Sequence, residues 1–257
     1  MKKVKITEYN IGGKLYEYKK IAVLSSATLM LVATSVSPVL GLNSTVFAAE
    51  IGTKVDKIND LPESKLFTDA VANKNPKFSV NVSYDGDTKI SQLLDENLNA
   101  VATEISNPTT SEILAVKRTD KEVIVEKTIK GYDGNYVVNT EHFAYATIDE
   151  STNPINISPR YYYTPWRYTN IAVGTNLFSF LTDLSVGAVV AFTANVFGIT
   201  AKAADLLLGY MGAKGLSTGE AIAAALDTNG NGWIGLYVRE MWNDSQTVFI
   251  GTEYKTM

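Results

Sequence analysis

The sequence predicts an α+β fold: a β-meander-rich N-terminal part, a hydrophobic Ala/Gly-rich helical block and a C-terminal β-hairpin. Three observations carry this. Glu112 to Lys117, Glu122 to Lys130 and Tyr136 to Ile148 are strand-like runs joined only by Arg118-Thr119-Asp120 and by the turn-forming Gly131 to Asn135. Ile171 to Leu226 is rich in Ala, Gly and Leu, and its stretch Leu184 to Ala201 holds 18 consecutive residues without a formal charge. Trp233 to Trp242 and Gln246 to Tyr254 then return to a strand-like pattern around Asn243-Asp244-Ser245. Alternation places neighbouring side chains on opposite faces of a strand, and links this short join antiparallel neighbours.

The chain divides into three segments. Residues 1–48 read as a signal peptide: Lys19-Lys20 precede an apolar run from Ile21 through Leu42, and Val46 and Ala48 are the −3 and −1 residues of a cut after Ala48. The basic flank is long and carries Tyr16, Glu17 and Tyr18, so an uncleaved membrane anchor is the alternative. Residues 49–160 form a polar α+β region with the antiparallel meander, and residues 161–257 hold an aromatic connector, the apolar helices and the hairpin. Removal of the leader takes away six Lys/Arg and two Asp/Glu, which moves the formal charge from −4 to −8. That balance speaks against a nucleic-acid partner, because phosphate affinity rests on neutralisation by Lys and Arg. It also speaks against simple attraction to anionic lipid. With no cysteine, neither a disulfide nor a thiolate enters the chemistry.

Taken in order, Ser64 to Asn73 reads as a short helix that stops at Asn75-Pro76, since proline disfavours helix in the residue before it. Lys77 to Tyr84 alternates Phe78, Val80, Val82 and Tyr84 against Ser79, Asn81 and Ser83, a half-buried strand closed by Asp85-Gly86. Leu93, Leu94, Leu98, Val101 and Ile105 fall near helical spacing, so Ile90 to Ile105 is expected to be a helix ended by Asn107-Pro108. Asp149 to Pro165 is a connector leading into Tyr161-Tyr162-Tyr163-Thr164-Pro165-Trp166-Arg167-Tyr168. Five aromatics in those eight residues suit an interfacial aromatic belt or a strand packing on the core. Asn176 to Thr200 is long enough for one helix, with breaks expected near Gly187 or Gly198, and Ala201 to Met211 continues it or restarts it. Gly212 and Gly215 mark a loop, and Ser217 stands at capping-box spacing from Glu220, ahead of a short helix over Gly219 to Leu226.

Few residues offer chemistry. His142 is the single histidine, there is no Gly-x-Ser-x-Gly elbow, and a surface or structural role is expected for it. Asp227-Thr228-Asn229-Gly230-Asn231-Gly232 matches the opening of a calcium loop, with Asp227, Asn229 and Asn231 as oxygen donors. The closing bidentate Glu is missing, because Val238 occupies that position, so the segment is expected to act as a helix stop. No cofactor is expected. The uncharged run remains: Gly187, Ala188, Ala191, Ala194 and Gly198 are small residues that allow close helix contacts in lipid. The same run equally suits a buried core, since helices apolar all round are core elements or membrane spans.

The leader, the β-rich front, the connector from Arg160 to Trp166, the Ala/Gly-rich block and the Trp/Tyr hairpin together resemble the geobacillin-type large secreted bacteriocins of Gram-positive bacteria. The resemblance covers most of the mature chain in layout and brings no catalytic motif. It implies a secreted antibacterial protein acting on related bacteria. With no catalytic motif and an apolar block in hand, the expectation is a non-enzymatic protein that meets a bacterial target membrane or envelope receptor, with an immunity protein as a further partner. On this view the apolar block is buried in the free form and inserts at the target, and Trp166, Phe192, Phe197 and Gly198 are its apolar or hinge positions. Two alternatives stand beside it: a secreted or surface-associated binding module that uses its aromatic residues, and a hydrolase built on carboxylates alone.

Overall fold

The computed structural model describes residues 7–11, 14–18, 61–146 and 161–257. Apart from residues 7–11 and 14–18, the proposed leader, with its apolar run and cleavage site, lies outside the described residues, as does most of the connector. Residues 1–57 and 58–257 form separate units. In the first, strands β1 (Thr7–Ile11) and β2 (Lys14–Tyr18) pair antiparallel, with Ile11 opposite Lys14.

The second unit is α+β and is built on a six-stranded antiparallel sheet. Its strands follow one another in space as in sequence: β3 (Ser79–Asp85), β4 (Thr88–Leu94), β5 (Ala100–Asn107), β6 (Glu112–Arg118), β7 (Glu122–Lys130) and β8 (Tyr136–Ala144). Short polar turns set the register. Asp95 Oδ1 accepts from the N–H of Asn97 and of Asn99, both at 2.8 Å, and Gly86 and Gly134 take the positive φ their hairpins need.

The Ile90–Ile105 helix expected from spacing is two strands, β4 and β5, around the Asp95–Asn99 turn. Both faces of the sheet are covered at β4 and β5, so the alternation is lost there. Leu93 faces one helix layer while Ile90 and Ile105 face the other, and all three are almost fully buried. Strand β3, expected to be half-buried, is an edge strand that is exposed on both faces, with Val80, Val82 and Tyr84 all open to solvent.

Helix α1 (Lys65–Ala72) covers one face through Phe67 and Ala70. Its N-cap Ser64 accepts from Phe67 N at 3.2 Å. The same residue ties the helix to two buried glutamates of the sheet: Ser64 N donates to Glu104 Oε2 and Ser64 Oγ to Glu126 Oε1, both at 2.7 Å. Burial is the main cause holding the Glu104 carboxyl above its ordinary range.

The opposite face carries the apolar block. A 3-10 turn (Thr175–Phe180) leads to α2 (Val186–Phe197), α3 (Ala201–Tyr210) and α4 (Gly219–Leu226). Ser185 caps α2, accepting from Ala188 N at 3.3 Å. Asp85, from the β3–β4 hairpin, accepts from Gly187 N at 2.7 Å and locks this helix start to the sheet. Gly198 ends α2 in the left-handed region at φ +61°, and Thr200 at once caps α3 by accepting from Ala203 N at 3.1 Å. A stop and a start within three residues bend α2 against α3 by 104°. Of the two breaks expected from glycine, the one at Gly198 is present, while Gly187 lies within the first turn of α2. No single helix among the described residues is long and apolar enough to cross a membrane. The α4 cap is Thr218 rather than Ser217, accepting from Ala221 N at 3.3 Å. Gly219 there comes so near the Phe178 carbonyl that a Cβ would overlap its oxygen.

A second sheet closes the unit. Strand β11 (Trp233–Asn243) pairs with β12 (Phe249–Thr256) on one side and, along the other, with β10 (Arg167–Gly174) and then β9 (Tyr161–Tyr163). One core spans both sheets' inner faces, joining Ile105, Leu114, Val116 and Val125 to Phe178, Phe192, Phe197, Ile234 and Leu236.

Candidate functional site

The aromatic connector and the hairpin meet at a cleft. Strands β9 and β10 pair with β11 at Met241 to Asn243 and at Trp233 to Val238, so Thr164 to Trp166 must step out of the sheet between them. Thr164 anchors that step: its N–H donates to Glu240 O at 3.0 Å and its Oγ1 accepts from Glu240 N at 2.8 Å. The excursion leaves a cleft of about 610 Å³, walled by Trp166, Tyr168, Tyr237 and Tyr254 with Arg167, Arg239 and Glu240. A smaller hollow of about 280 Å³ shares Trp166, Arg239 and Tyr254 and reaches α3, where Leu206 and Tyr210 are exposed.

Cross-strand register builds the polar centre. Arg239 opposes Glu253 and Tyr237 opposes Lys255, so all four side chains share one face of the hairpin. Arg239 Nε and Nη2 both donate to Glu253 Oε2, at 2.8 and 2.7 Å. The guanidinium lies 4.1 Å from the Tyr163 ring centre and 4.5 Å from that of Trp166. Lys255 Nζ is 4.9 Å from the Trp166 ring centre and 5.8 Å from that of Tyr237. Burial, and secondarily the Arg239 charge, push the Lys255 ammonium below the ordinary lysine range. Tyr168 packs on Tyr237 at 5.3 Å, and burial raises its phenol to about 12. Glu240 Oε2 accepts from Trp242 Nε1 at 3.1 Å. Tyr163, Trp166, Tyr237, Arg239 and Lys255 thus form a stacked aromatic and cationic wall on this face, while Glu240 projects from the opposite face of β11.

Of the positions singled out in the sequence, Trp166 lines this cleft. Phe192, Phe197 and Gly198 lie elsewhere, on α2: both phenylalanines are fully buried in the main core, and the Arg118 guanidinium packs against Gly198. Phe192 meets Phe178 edge-on at 5.9 Å. Asp227, Asn229 and Asn231 converge on their own loop. Asp227 accepts from Asn231 N and Gly232 N at 3.2 and 2.9 Å, Asn229 Oδ1 from Asn231 N at 3.1 Å, and Asn231 Oδ1 from Trp233 N at 2.8 Å. These are Asx turns that stop α4 and launch β11. His142 is an exposed residue of β8, 3.2 Å from Glu122 Oε2.

Arg239, Glu253 and Lys255 were not recognisable alone; the hairpin register reveals them, once Tyr237-Val238-Arg239 is aligned with Glu253-Tyr254-Lys255. A further feature sits inside α2. Thr193 Oγ1 and both side-chain polar atoms of Asn195 are buried with no hydrogen-bond partner among the described residues. No family model, curated protein or solved structure matches the chain.

Proposed function

We propose that this is a secreted, non-enzymatic, bacteriocin-like antibacterial protein that engages the envelope of a Gram-positive target through the cleft at Trp166. The observation that carries the reading is the cleft itself, a concave aromatic and charged site of the size that small ligands occupy. In this reading the β-meander is a frame, the Ala/Gly-rich helices are stored against it, and the C-terminal hairpin presents the contact site. The partner is an envelope receptor, with an immunity protein in the producing cell.

Membrane insertion of the stored helices is a second step, favoured by one specific observation. Helix α2 is apolar on all sides, yet Thr193 and Asn195 are buried in it without side-chain hydrogen-bond partners among the described residues. Each unpaired group costs about 1–3 kcal/mol in the folded state, so the buried position of α2 is less stable than its apolar surface suggests. With α3 it has the length and composition of a broken span.

The test is to apply purified residues 49–257 to a panel of Gram-positive strains and to dye-loaded liposomes. Inhibition with dye release supports both steps. Inhibition without release keeps the envelope contact and removes insertion. Binding to cells without inhibition leaves the binding-module reading, and neither binding nor inhibition contradicts the proposal.

A further inference from the structure

Strand β3 leaves one side of its backbone unused. Its loop to β4 is two residues, Gly86 and Asp87, so the flanking pair, Asp85 and Thr88, is a hydrogen-bonded one. Antiparallel pairs alternate, which makes Ser83, Asn81 and Ser79 the next residues to turn their N–H and C=O groups to β4. Those of Tyr84, Val82 and Val80 therefore point outward, and none has a hydrogen-bond partner among the described residues. An edge of this kind is a template for another strand unless charge, proline, a bulge or a covering element blocks it. Ser79 to Tyr84 has no charge, proline or glycine, its register with β4 is unbroken, and every residue in it is exposed. The opposite edge, β8, differs: it carries Glu141, and beyond its end Ala146 N donates to Ala172 O of β10 at 3.0 Å.

The strand is also its own match. Val82 is the middle residue of Ser79–Asp85, so a two-fold axis through it pairs the whole strand with a second copy: Val82 with Val82, Val80 with Tyr84, Asn81 with Ser83 and Ser79 with Asp85. Val80, Val82 and Tyr84 are 41, 47 and 54% exposed and share one face. In this register apolar side chains meet apolar ones, polar meet polar, and no like charges stand opposite. It also sets the outward N–H and C=O groups against one another, for about six backbone hydrogen bonds across the axis. We infer that the chain forms a homodimer by antiparallel pairing of β3 with β3 of a second copy, which joins the two meanders into one sheet. The dimer is independent of the envelope-contact reading.

Sedimentation equilibrium of residues 49–257 tests the dimer, and cross-linking tests its register. A two-chain mass that falls to one chain on dilution is expected. Val82→Lys places two ammonium groups at the axis and should weaken association at least about tenfold, with little change in Tm because the side chain is exposed. The chain has no cysteine, so Val82→Cys can form a disulfide only between copies. Residues directly opposed in a hydrogen-bonded pair stand about 5.5 Å apart at Cα, within disulfide reach, so a covalent dimer should form in a glutathione redox buffer. Asn81→Cys, two residues out of register with its own copy, should cross-link far less. The cysteine pair decides the matter even if Val82→Lys does not fold. A single-chain mass up to millimolar concentration, association unchanged by Val82→Lys, a larger open assembly, or equal cross-linking at the two cysteines overturns the inference. No cells enter the test, so its failure leaves the antibacterial reading standing.

Discussion

Replacing Asn195 with leucine should make the protein more stable and, as an antibacterial, weaker. Asn195 is fully buried in α2, and both its amide nitrogen and its oxygen lack a partner among the described residues. Leucine keeps the branched shape and removes both polar atoms. Leaving a buried polar group unpaired costs about 1–3 kcal/mol, and the slightly larger leucine returns part of that gain as packing strain. A net stabilisation of about 1–2 kcal/mol follows, which for a domain of this size raises Tm by about 2–8 °C. Urea unfolding of residues 49–257 measures it, with an unchanged slope showing that the exposed surface is the same. If α2 leaves the core at a membrane, the same substitution deepens the well it must leave, so dye release should slow by about tenfold for each 1.4 kcal/mol expressed in that step. An Asn195→Leu protein that is less stable than wild type would refute the claim that this amide is an unpaired burden. A more stable protein with unchanged release would refute the link between α2 and insertion.

Three further outcomes follow from the frame. Gly219→Ala should prevent α4 from docking, since its Cβ would overlap the Phe178 carbonyl oxygen; a loss of several kcal/mol, read by chemical denaturation, is expected. Asp85→Ala removes the carboxylate that accepts from Gly187 N at 2.7 Å and should destabilise the unit by about 1–2 kcal/mol, with faster hydrogen exchange in the first turn of α2. Glu104 has its carboxyl raised above 4.5 by burial, so between 4.5 and that raised value the folded state retains a proton the unfolded chain has lost. Its contribution to stability is therefore greatest below this window and declines as pH rises through it; Glu104→Gln should flatten that part of the stability–pH curve.

What could be read in the sequence was whatever one surface dictates. Strand β7 has a partly polar alternation and is found where expected, and so are helices α1 and α4, which are stopped by proline and by the Asx turns after Leu226. Strands β4 and β5 were concealed because their sheet is covered on both faces. Leu93 and Leu94 are then adjacent apolar residues, and Leu98 at φ +64° lies on the turn while imitating a helical position. The uncharged run Leu184 to Ala201 is three pieces because Ser185, Gly198 and Thr200 place caps inside it, and caps act through single side chains that hydropathy averages away. Trp166 stood out as an aromatic. Its cationic neighbours did not, since Arg239 and Lys255 become a site only through the β11–β12 register.

The central claim, an antibacterial protein that makes contact through the cleft, is tested most directly by growth inhibition of Gram-positive strains with purified residues 49–257 and its Trp166→Ala variant. Trp166 is half-buried and packs against the small cluster of Tyr168, Ala172 and Tyr237 outside the main core, so the variant should fold with a stability loss of about 1–2 kcal/mol, read by its Tm alongside the inhibition assay. The account predicts inhibition by the wild-type protein and its loss in the variant. Inhibition that is equal in the two proteins, or absent from both, would contradict it.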